Sequence, residues 1–409
     1  MPFDLDKTLK DRFGLDAFRP WQREAISALL EEEKRVLVVA PTGGGKSLCY
    51  QLPAVLVGGT SLIVSPLIAL MEDQVQALQK RGIRATYLAS TLEASERRDR
   101  EKRIFRGEYE LVYVAPERLA SENFVDDLKR LAPRFVAIDE AHCISQWGHD
   151  FRPDYLKIGA LLEKLSPEFV LACTATATPA VRTEILDRLG LNPSNARVIM
   201  RGFARPNLHL AAEAVDGAKD RSKKIRAILE KALGNPAEPK GGAIVYAGTR
   251  KLTEQLAGEL TGLGYRVASY HAGLEPQKRN KVSEQFAERR VDIVVATNAF
   301  GMGIDRADVR VVVHVTAPAS IEGYYQEVGR AGRDGDEAYG LMLTSFGDFG
   351  LRRRLLERER DDGSGLPRAE LDRQWRMFLD VMRYVDAGSC RHDFVLRYFG
   401  DEQETLGGC

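Results

Sequence analysis

The sequence predicts an α/β fold made of two parallel-sheet domains and a small helical C-terminal segment. Short β-branched runs alternate with longer amphipathic stretches, the pattern of parallel sheets covered by helices. The alternation breaks once, near residues 201–207, and restarts; from about residue 346 it stops. A length of 409 residues agrees with two or three domains at roughly 150 residues each.

In the first half the strands are expected at RVLVVA (35–40), SLIVS (61–65), RATYL (84–88), ELVYV (110–114), RFVAID (134–139) and EFVLAC (168–173). Helices lie between them, Leu67–Gln79 among them. RGFARPN (201–207) interrupts the rhythm and reads as a linker. Beyond it come GAIVYAG (242–248), YRVASYH (265–271), VDIVVAT (291–297), VRVVVHV (309–315) and AYGLMLT (338–344), with the Gly- and Pro-rich GNPAEPKGG (234–242) as a connection. LRRRLLERER and Arg368–Val385 read as charged, amphipathic helices. The expected domains are residues 1–204, 205–345 and 346–409.

Hydrophobic residues make up 44% and charged residues 29% of the chain, enough to bury sizeable cores. Lys+Arg and Asp+Glu both number 59, so overall charge points to no polyanionic partner, and any basic surface is local. The N-terminus carries acids within its first six residues and no signal-like apolar core. No run reaches the roughly 18 apolar residues of a membrane span. These features lead to the expectation of a cytoplasmic protein, or a nuclear one if its cell has a nucleus, and no membrane partner. Five cysteines are too dispersed for a disulfide framework; Cys49, Cys143 and Cys173 read as buried thiols.

APTGGGKS (40–47) follows the strand RVLVV and precedes a helical stretch, the context of a phosphate-binding loop. Glycines there let backbone N–H groups surround phosphates at a helix N-terminus. Thr42, Gly43, Gly44, Gly45, Lys46 and Ser47 form the loop; Lys46 would reach the β- and γ-phosphates and the Ser47 hydroxyl would hold Mg²⁺. Ala40 stands where the strict pattern has Gly, a position that mainly needs a small residue. Asp139 and Glu140 end the strand RFVAID, facing the crevice where α/β sheets bind ligands. Asp139 is the natural Mg²⁺ partner, and Glu140 can polarise an attacking water.

With APTGGGKS and DEAH both placed, the chain resembles the superfamily 2 helicases, and specifically the RecQ family, over nearly its whole length. The resemblance implies two RecA-like domains, ATP and Mg²⁺ as cofactors, and single-stranded and duplex DNA as partners; it names no protein partner. FGLDAFRPWQREAI (13–26) is similar to the family's additional ATP-binding motif, with Gln22 positioned for an adenine edge and Arg19 nearby. Leu15 replaces the aromatic residue that stacks on adenine in many relatives. VSPLIALMEDQV (64–75) and TATAT (174–178) resemble motifs of the first domain; YHAGL (270–274) and VATNAFGMGIDRADV (295–309) resemble motifs of the second, with Asp305 implied in ATP contact. In QEVGRAGRDG (326–335), Gln326, Arg330 and Arg333 fall at i, i+4 and i+7, which places them on one helix face. By resemblance Arg330 and Arg333 are candidate arginine fingers, each able to contribute about 10³–10⁵ in rate.

CISQWGHDFRPDY (143–155) has aromatics with neither helical nor strand spacing and resembles the family's aromatic-rich loop. Rings there would stack on unpaired bases at roughly 1–3 kcal/mol each, and Arg152 would meet phosphate. His142, Trp147, His149, Phe151 and Arg152 are the expected DNA contacts, while Tyr155 divides evenly between this role and core packing. Because the loop continues directly from DEAH, a base pushing on Trp147 or Phe151 would move Asp139 and Glu140. Domain closure on ATP binding and reopening on hydrolysis would then advance the motor, 3′→5′ by resemblance alone.

The tail resembles the family's zinc-binding subdomain. Cys390 matches the first of four cysteine ligands and Cys409 the second, and the expected further pair is absent from the chain. Structural zinc needs four ligands, so Zn²⁺ would require ligands from elsewhere; a truncated sequence is the favoured explanation. His392 is near but does not fit the ligand pattern. Two alternatives to an unwinding motor stay open: an RNA-stimulated remodelling ATPase, and an ATP-gated clamp or annealing protein.

Overall fold

The computed structural model describes residues 3–148, 150–191, 194–301, 306–357 and 365–401. The chain divides into two compact units, Met1–Gly202 and Phe203–Cys409.

The first unit holds a seven-stranded sheet. Its strands are β1 (Arg35–Val39), β2 (Ser61–Val64), β3 (Ala85–Leu88), β4 (Leu111–Val114), β5 (Phe135–Ile138), β6 (Phe169–Thr174) and β7 (Arg197–Met200). They run in the order β3-β4-β2-β5-β6-β1-β7, every pair parallel. Parallel strands covered on both faces read as continuous apolar runs, and FVAI of β5 and FVLACT of β6 are buried at every residue. Val36, Val38, Phe135, Ala137 and Leu171 of the sheet join Leu29, Leu52 and Met71 of the covering helices in one core.

The second unit holds a six-stranded sheet, β10-β11-β9-β12-β13-β8, also parallel throughout. Its strands are β8 (Leu208–Ala214), β9 (Gly242–Tyr246), β10 (Val267–Tyr270), β11 (Ile293–Ala296), β12 (Val309–His314) and β13 (Ala338–Thr344). Ile225, Leu229, Val245, Val295, Val313 and Leu343 form its core. Among the described residues, the helices Gly347–Leu356, Arg368–Asp386 and Arg391–Phe399 follow. They pack on this unit through Tyr324–Tyr384 (hydroxyls 3.1 Å apart), Tyr398 donating to Glu322 (2.9 Å) and His392 Nε2 on the Leu208 carbonyl (2.6 Å). His392 is thus a buried structural residue, and burial lowers its pKa.

The strands expected from the sequence are all present, and two more border the segment read as a linker. β7 and β8 sit at sheet edges, where one side faces solvent and the apolar pattern thins. RGFARPN itself is not a passive connection: Phe203 is 1% exposed and packs in one aromatic cluster with Tyr325 (5.6 Å) and Phe399 (5.0 Å).

Candidate functional site

Strand register brings the first unit's motifs to one edge. Leu37, Ala172 and Ile138 share a row, so Asp139, one residue on, emerges beside Cys173 and below the loop that leaves β1. This edge is the carboxyl end of the strands, where open α/β sheets bind ligands.

The loop 40–47 runs from β1 into the helix Leu48–Leu56, with Ser47 at its N-cap. Gly45 has φ +82°, and a Cβ there would lie 2.5 Å from Gln22 Nε2; a Cβ on Gly44 would lie 2.9 Å from the Pro41 carbonyl. Backbone thus forms a cradle that a methyl group would fill, which fits the close approach of a polyphosphate. Lys46 Nζ donates to the carbonyls of Ala40 (2.8 Å) and Pro41 (3.1 Å), so its charge is held over the loop.

Gln22 is buried against this loop. Its Nε2 donates to the Gly45 carbonyl (3.0 Å), and its Oε1 accepts from the Arg19 backbone N–H (2.9 Å), capping the helix Pro20–Ser27. Both ends of the amide expected for adenine therefore hold protein groups, joining the 13–26 motif to the phosphate loop. Arg19 is exposed, and so is Leu15, the residue in the stacking position.

Asp139 is 5% exposed. Its Oδ1 accepts from the Glu140 N–H (3.0 Å) and the Cys173 thiol (3.3 Å). Burial, reinforced by the Glu140 carboxylate and opposed by Lys46, pushes its pKa up to about 6. A buried carboxylate facing a phosphate loop is the donor that a hard divalent cation needs, and with Ser47 it suits Mg²⁺. Glu140 sits at φ +47°, a left-handed conformation rare for a residue with a side chain. Its Oε2 lies 3.3 Å from His142 Nδ1.

The aromatic-rich loop is tied to these acids by groups that motif reading does not reveal. Tyr155 is fully buried and its hydroxyl donates to the Asp139 carbonyl (2.8 Å), which settles it as a core residue with a polar role. His142, expected at the DNA surface, is instead 3% exposed, with Nδ1 on Thr174 Oγ1 (2.8 Å). It bridges the acid pair to TATAT. Burial opposes a second proton on the ring, but Cys143 and Glu140 outweigh it and raise the pKa to about 10.

Trp147 is 55% exposed; its backbone N–H donates to Ser145 Oγ, which in turn donates to Glu184 (2.6 Å). Phe151 is half-buried. The Arg152 guanidinium turns toward protein, donating to the Pro66 carbonyl (2.8 Å) and to Asp150 (3.1 and 3.3 Å). Through Pro66 it joins the loop to the 64–75 motif. His149 lies outside the described residues.

In the second unit the helix Ile321–Val328 stops before the arginines. This corrects the single helix face expected for Gln326, Arg330 and Arg333: only Gln326 is helical, and the arginines occupy the following turns. Gly332 turns the chain at φ +60°, its N–H on the Val309 carbonyl (2.9 Å), while a Cβ there would lie 2.5 Å from Asn207 Nδ2. Arg205 grips the same turn, donating to the carbonyls of Ala331 (2.9 Å) and Gly332 (2.8 Å). Arg330 is 7% exposed, and its charge together with that of Arg333 acts on the buried Tyr246 hydroxyl. Asp305 lies outside the described residues, as does Cys409, so only Cys390 of the zinc half-site is placed, at the N-cap of Arg391–Phe399. Among the described residues no helix is long and apolar enough to cross a membrane.

Three family models match in succession: DEAD/DEAH box helicase over residues 19–184, helicase conserved C-terminal domain over 223–335, and RecQ zinc-binding over 346–409. The chain is 40% identical to the rat ATP-dependent DNA helicase Q5, covering 100% of this chain and 44% of that protein. It is 40% identical to ATP-dependent DNA helicase RecQ of Bacillus subtilis, covering 97% and 65%. A third relative, the probable ATP-dependent DNA helicase RecS of B. subtilis, is 42% identical over 87% of this chain and 70% of its own. The chain thus spans less than half of the rat protein and about two thirds of the bacterial ones. Among solved structures, the DNA-bound helicase MrfA superposes with a TM-score of 0.68 at 19% identity, covering 94% of this chain and 57% of that one. Mycobacterium smegmatis Lhr follows at 0.63 and 21%, covering 97% and 55%; at such identities the likeness speaks for the fold alone. Matches in all three segments, and identity sustained over most of RecS, place the chain in the RecQ family of ATP-dependent DNA helicases.

Proposed function

We propose that the chain is the motor portion of an ATP-dependent DNA helicase, hydrolysing ATP in response to single-stranded DNA, moving along it 3′→5′ and separating duplex. The observation that carries this reading is the position of His142, whose Nδ1 meets both Thr174 and Glu140 while its own chain leads within five residues to the exposed Trp147. A base stacking on Trp147 displaces a segment whose next anchors are the groups that orient the acid pair.

Within this reading Lys46 and the loop amides hold the phosphates, and Gln22 sets the loop's position from the adenine side. Ser47 and Asp139 hold Mg²⁺, which neutralises charge on the phosphates. Glu140 orients the attacking water and receives its proton. Arg330 and Arg333 are assigned to the charge that builds on the transferred phosphoryl group. Trp147 and Phe151 supply stacking surface, and Arg152 meets phosphate on exchanging its Asp150 contact for the strand. Zinc binding in the tail belongs to the proposal only where further ligands join Cys390 and Cys409.

The test is ATP hydrolysis by the purified chain alone and with single-stranded DNA, duplex DNA or RNA, with Lys46→Ala as control. Stimulation by single-stranded DNA that Lys46→Ala abolishes, followed by unwinding of a duplex with a 3′ single-stranded tail, is expected. Equal stimulation by RNA would turn the reading toward a remodelling ATPase. Stimulation without unwinding would turn it toward a clamp.

A further inference from the structure

Behind the acid pair, three potential metal ligands converge. His142 Nε2 lies 3.9 Å from Cys143 Sγ, Cys143 Sγ lies 3.8 Å from Asp150 Oδ2, and all three atoms fall within 4.8 Å of one another. Tetrahedral Zn²⁺ with ordinary bonds of about 2.0–2.3 Å would separate such ligand atoms by about 3.6 Å. Small side-chain adjustments close that gap. His142 and Cys143 are buried and Asp150 is half-buried, which leaves the carboxylate side open for entry and for a water as fourth ligand.

The histidine is oriented for ligation. The Thr174 hydroxyl has one proton and lies 3.2 Å from the Thr176 carbonyl, to which it donates. At 2.8 Å from His142 Nδ1 it therefore accepts, so Nδ1 carries hydrogen and Nε2 is the nitrogen directed at the sulfur. Glu140, 3.3 Å from the same Nδ1, completes the carboxylate–histidine arrangement that fixes metal-binding imidazoles. A thiol, an imidazole and a carboxylate together favour a soft or borderline cation over Mg²⁺.

We propose that His142, Cys143 and Asp150 bind a thiophilic divalent cation of the Zn²⁺ class, and that this cation uncouples the Trp147 loop from the acid pair. On binding, the Cys143 thiol and the Nε2 position of the doubly protonated His142 ring each release a proton to solvent, and the thiolate and the freed Nε2 lone pair take the metal. Asp150 Oδ2 is also the acceptor for Arg152 Nε (3.3 Å) and Nη2 (3.1 Å), so metal and guanidinium compete for one oxygen. The cation pins His142, Cys143 and Asp150 to one another and weakens the hold on Arg152. The uncoupling rests on the proposed DNA sensing; the binding does not.

The full chain is titrated with Cd²⁺, and the ultraviolet thiolate-to-metal charge-transfer band is followed at constant Mg²⁺. DNA-stimulated ATP hydrolysis is measured in parallel with Zn²⁺, each variant against its own metal-free rate. A band is expected that survives Cys390→Ser and disappears in Cys143→Ser, with affinity at least about tenfold weaker in Asp150→Asn. Zn²⁺ should reduce stimulation at least about tenfold in the parent chain and leave Asp150→Asn little affected at the same concentration. A band indifferent to Cys143→Ser, or one removed by Cys390→Ser, overturns the site. A band that behaves as expected while stimulation stays intact overturns the uncoupling. If no stimulation exists without metal, the DNA-sensing reading and with it the uncoupling fail, while the band still decides the site.

Discussion

Replacing Asp139 by Asn should make the ligand-free protein more stable and abolish its catalysis. Asp139 is 5% exposed, with Glu140 adjacent and Lys46 only partly compensating, so its pKa rises from the ordinary 3.8 to about 6. A raised carboxyl pKa means that the fold disfavours the ionised form. The penalty is absent below the unfolded-state pKa, grows as pH rises between about 4 and 6, and is constant above. At about 1.4 kcal/mol per pKa unit it amounts to about 3 kcal/mol at neutral pH. Asn has the same shape and can still accept from the Glu140 N–H and the Cys173 thiol, but it carries no charge. For a unit of this size about 3 kcal/mol corresponds to roughly 6–12 °C in Tm. Scanning calorimetry without nucleotide or Mg²⁺, at pH 7.5 and at pH 4, measures it on the transition of the first unit. The gain should be present at pH 7.5 and vanish at pH 4. An equal gain at both pH values, or none at pH 7.5, would refute ionisation as the source. In the parent chain Mg²⁺ should recover part of the same stability, because a bound cation removes the penalty that Asn avoids.

Trp147→Ala should keep basal ATP hydrolysis and weaken single-stranded DNA binding by roughly 1–3 kcal/mol, read as the DNA concentration for half-maximal stimulation. Gly45→Ala forces a side chain onto φ +82° and into Gln22; unfolding should show a loss of about 1–2 kcal/mol, and fluorescent-nucleotide titration a clear loss of affinity. Arg330→Ala should lower kcat by about 10³ or more with little change in KM, a split that steady-state kinetics resolves. Tyr155→Phe removes the donor from the buried Asp139 carbonyl and should cost about 1–3 kcal/mol in urea denaturation.

The motifs carrying phosphate chemistry were legible because each is local. APTGGGKS needs only a strand before it and a helix after it, and DEAH only a strand before it. Strand rhythm was equally legible where both faces of a sheet are covered, since β5 and β6 are buried at every residue and apolar in all but the terminal Thr174. It failed at β7 and β8, where an edge position allows exposed and charged residues into the strand. The Arg330–Arg333 turn failed for a related reason. Spacing of i, i+4 and i+7 is helical only if the helix continues, and Gly329 at its C-cap and Gly332 at φ +60° let it end.

Connections between motifs were hidden because they depend on strand order. Cys173 reads from the sequence only as a buried thiol, yet β6 lies between β5 and β1, which puts its side chain on Asp139 and its neighbour Thr174 on His142. Nothing in the one-dimensional spacing of residues 139, 142 and 174 announces this. The same order answers why an acid pair should run directly into an aromatic loop. Tyr155 under the Asp139 carbonyl, His142 beside Glu140 and Arg152 on Pro66 hold the loop at three points along sixteen residues of chain. Trp147 stands outside all three, as the exposed large ring on a segment otherwise fastened to the nucleotide-facing edge. A load applied there has few ways to relax except through the residues that orient the acids. Under the proposed DNA sensing, sequence adjacency is a mechanical requirement: a longer connection between DEAH and the tryptophan would absorb the displacement before it reached Asp139.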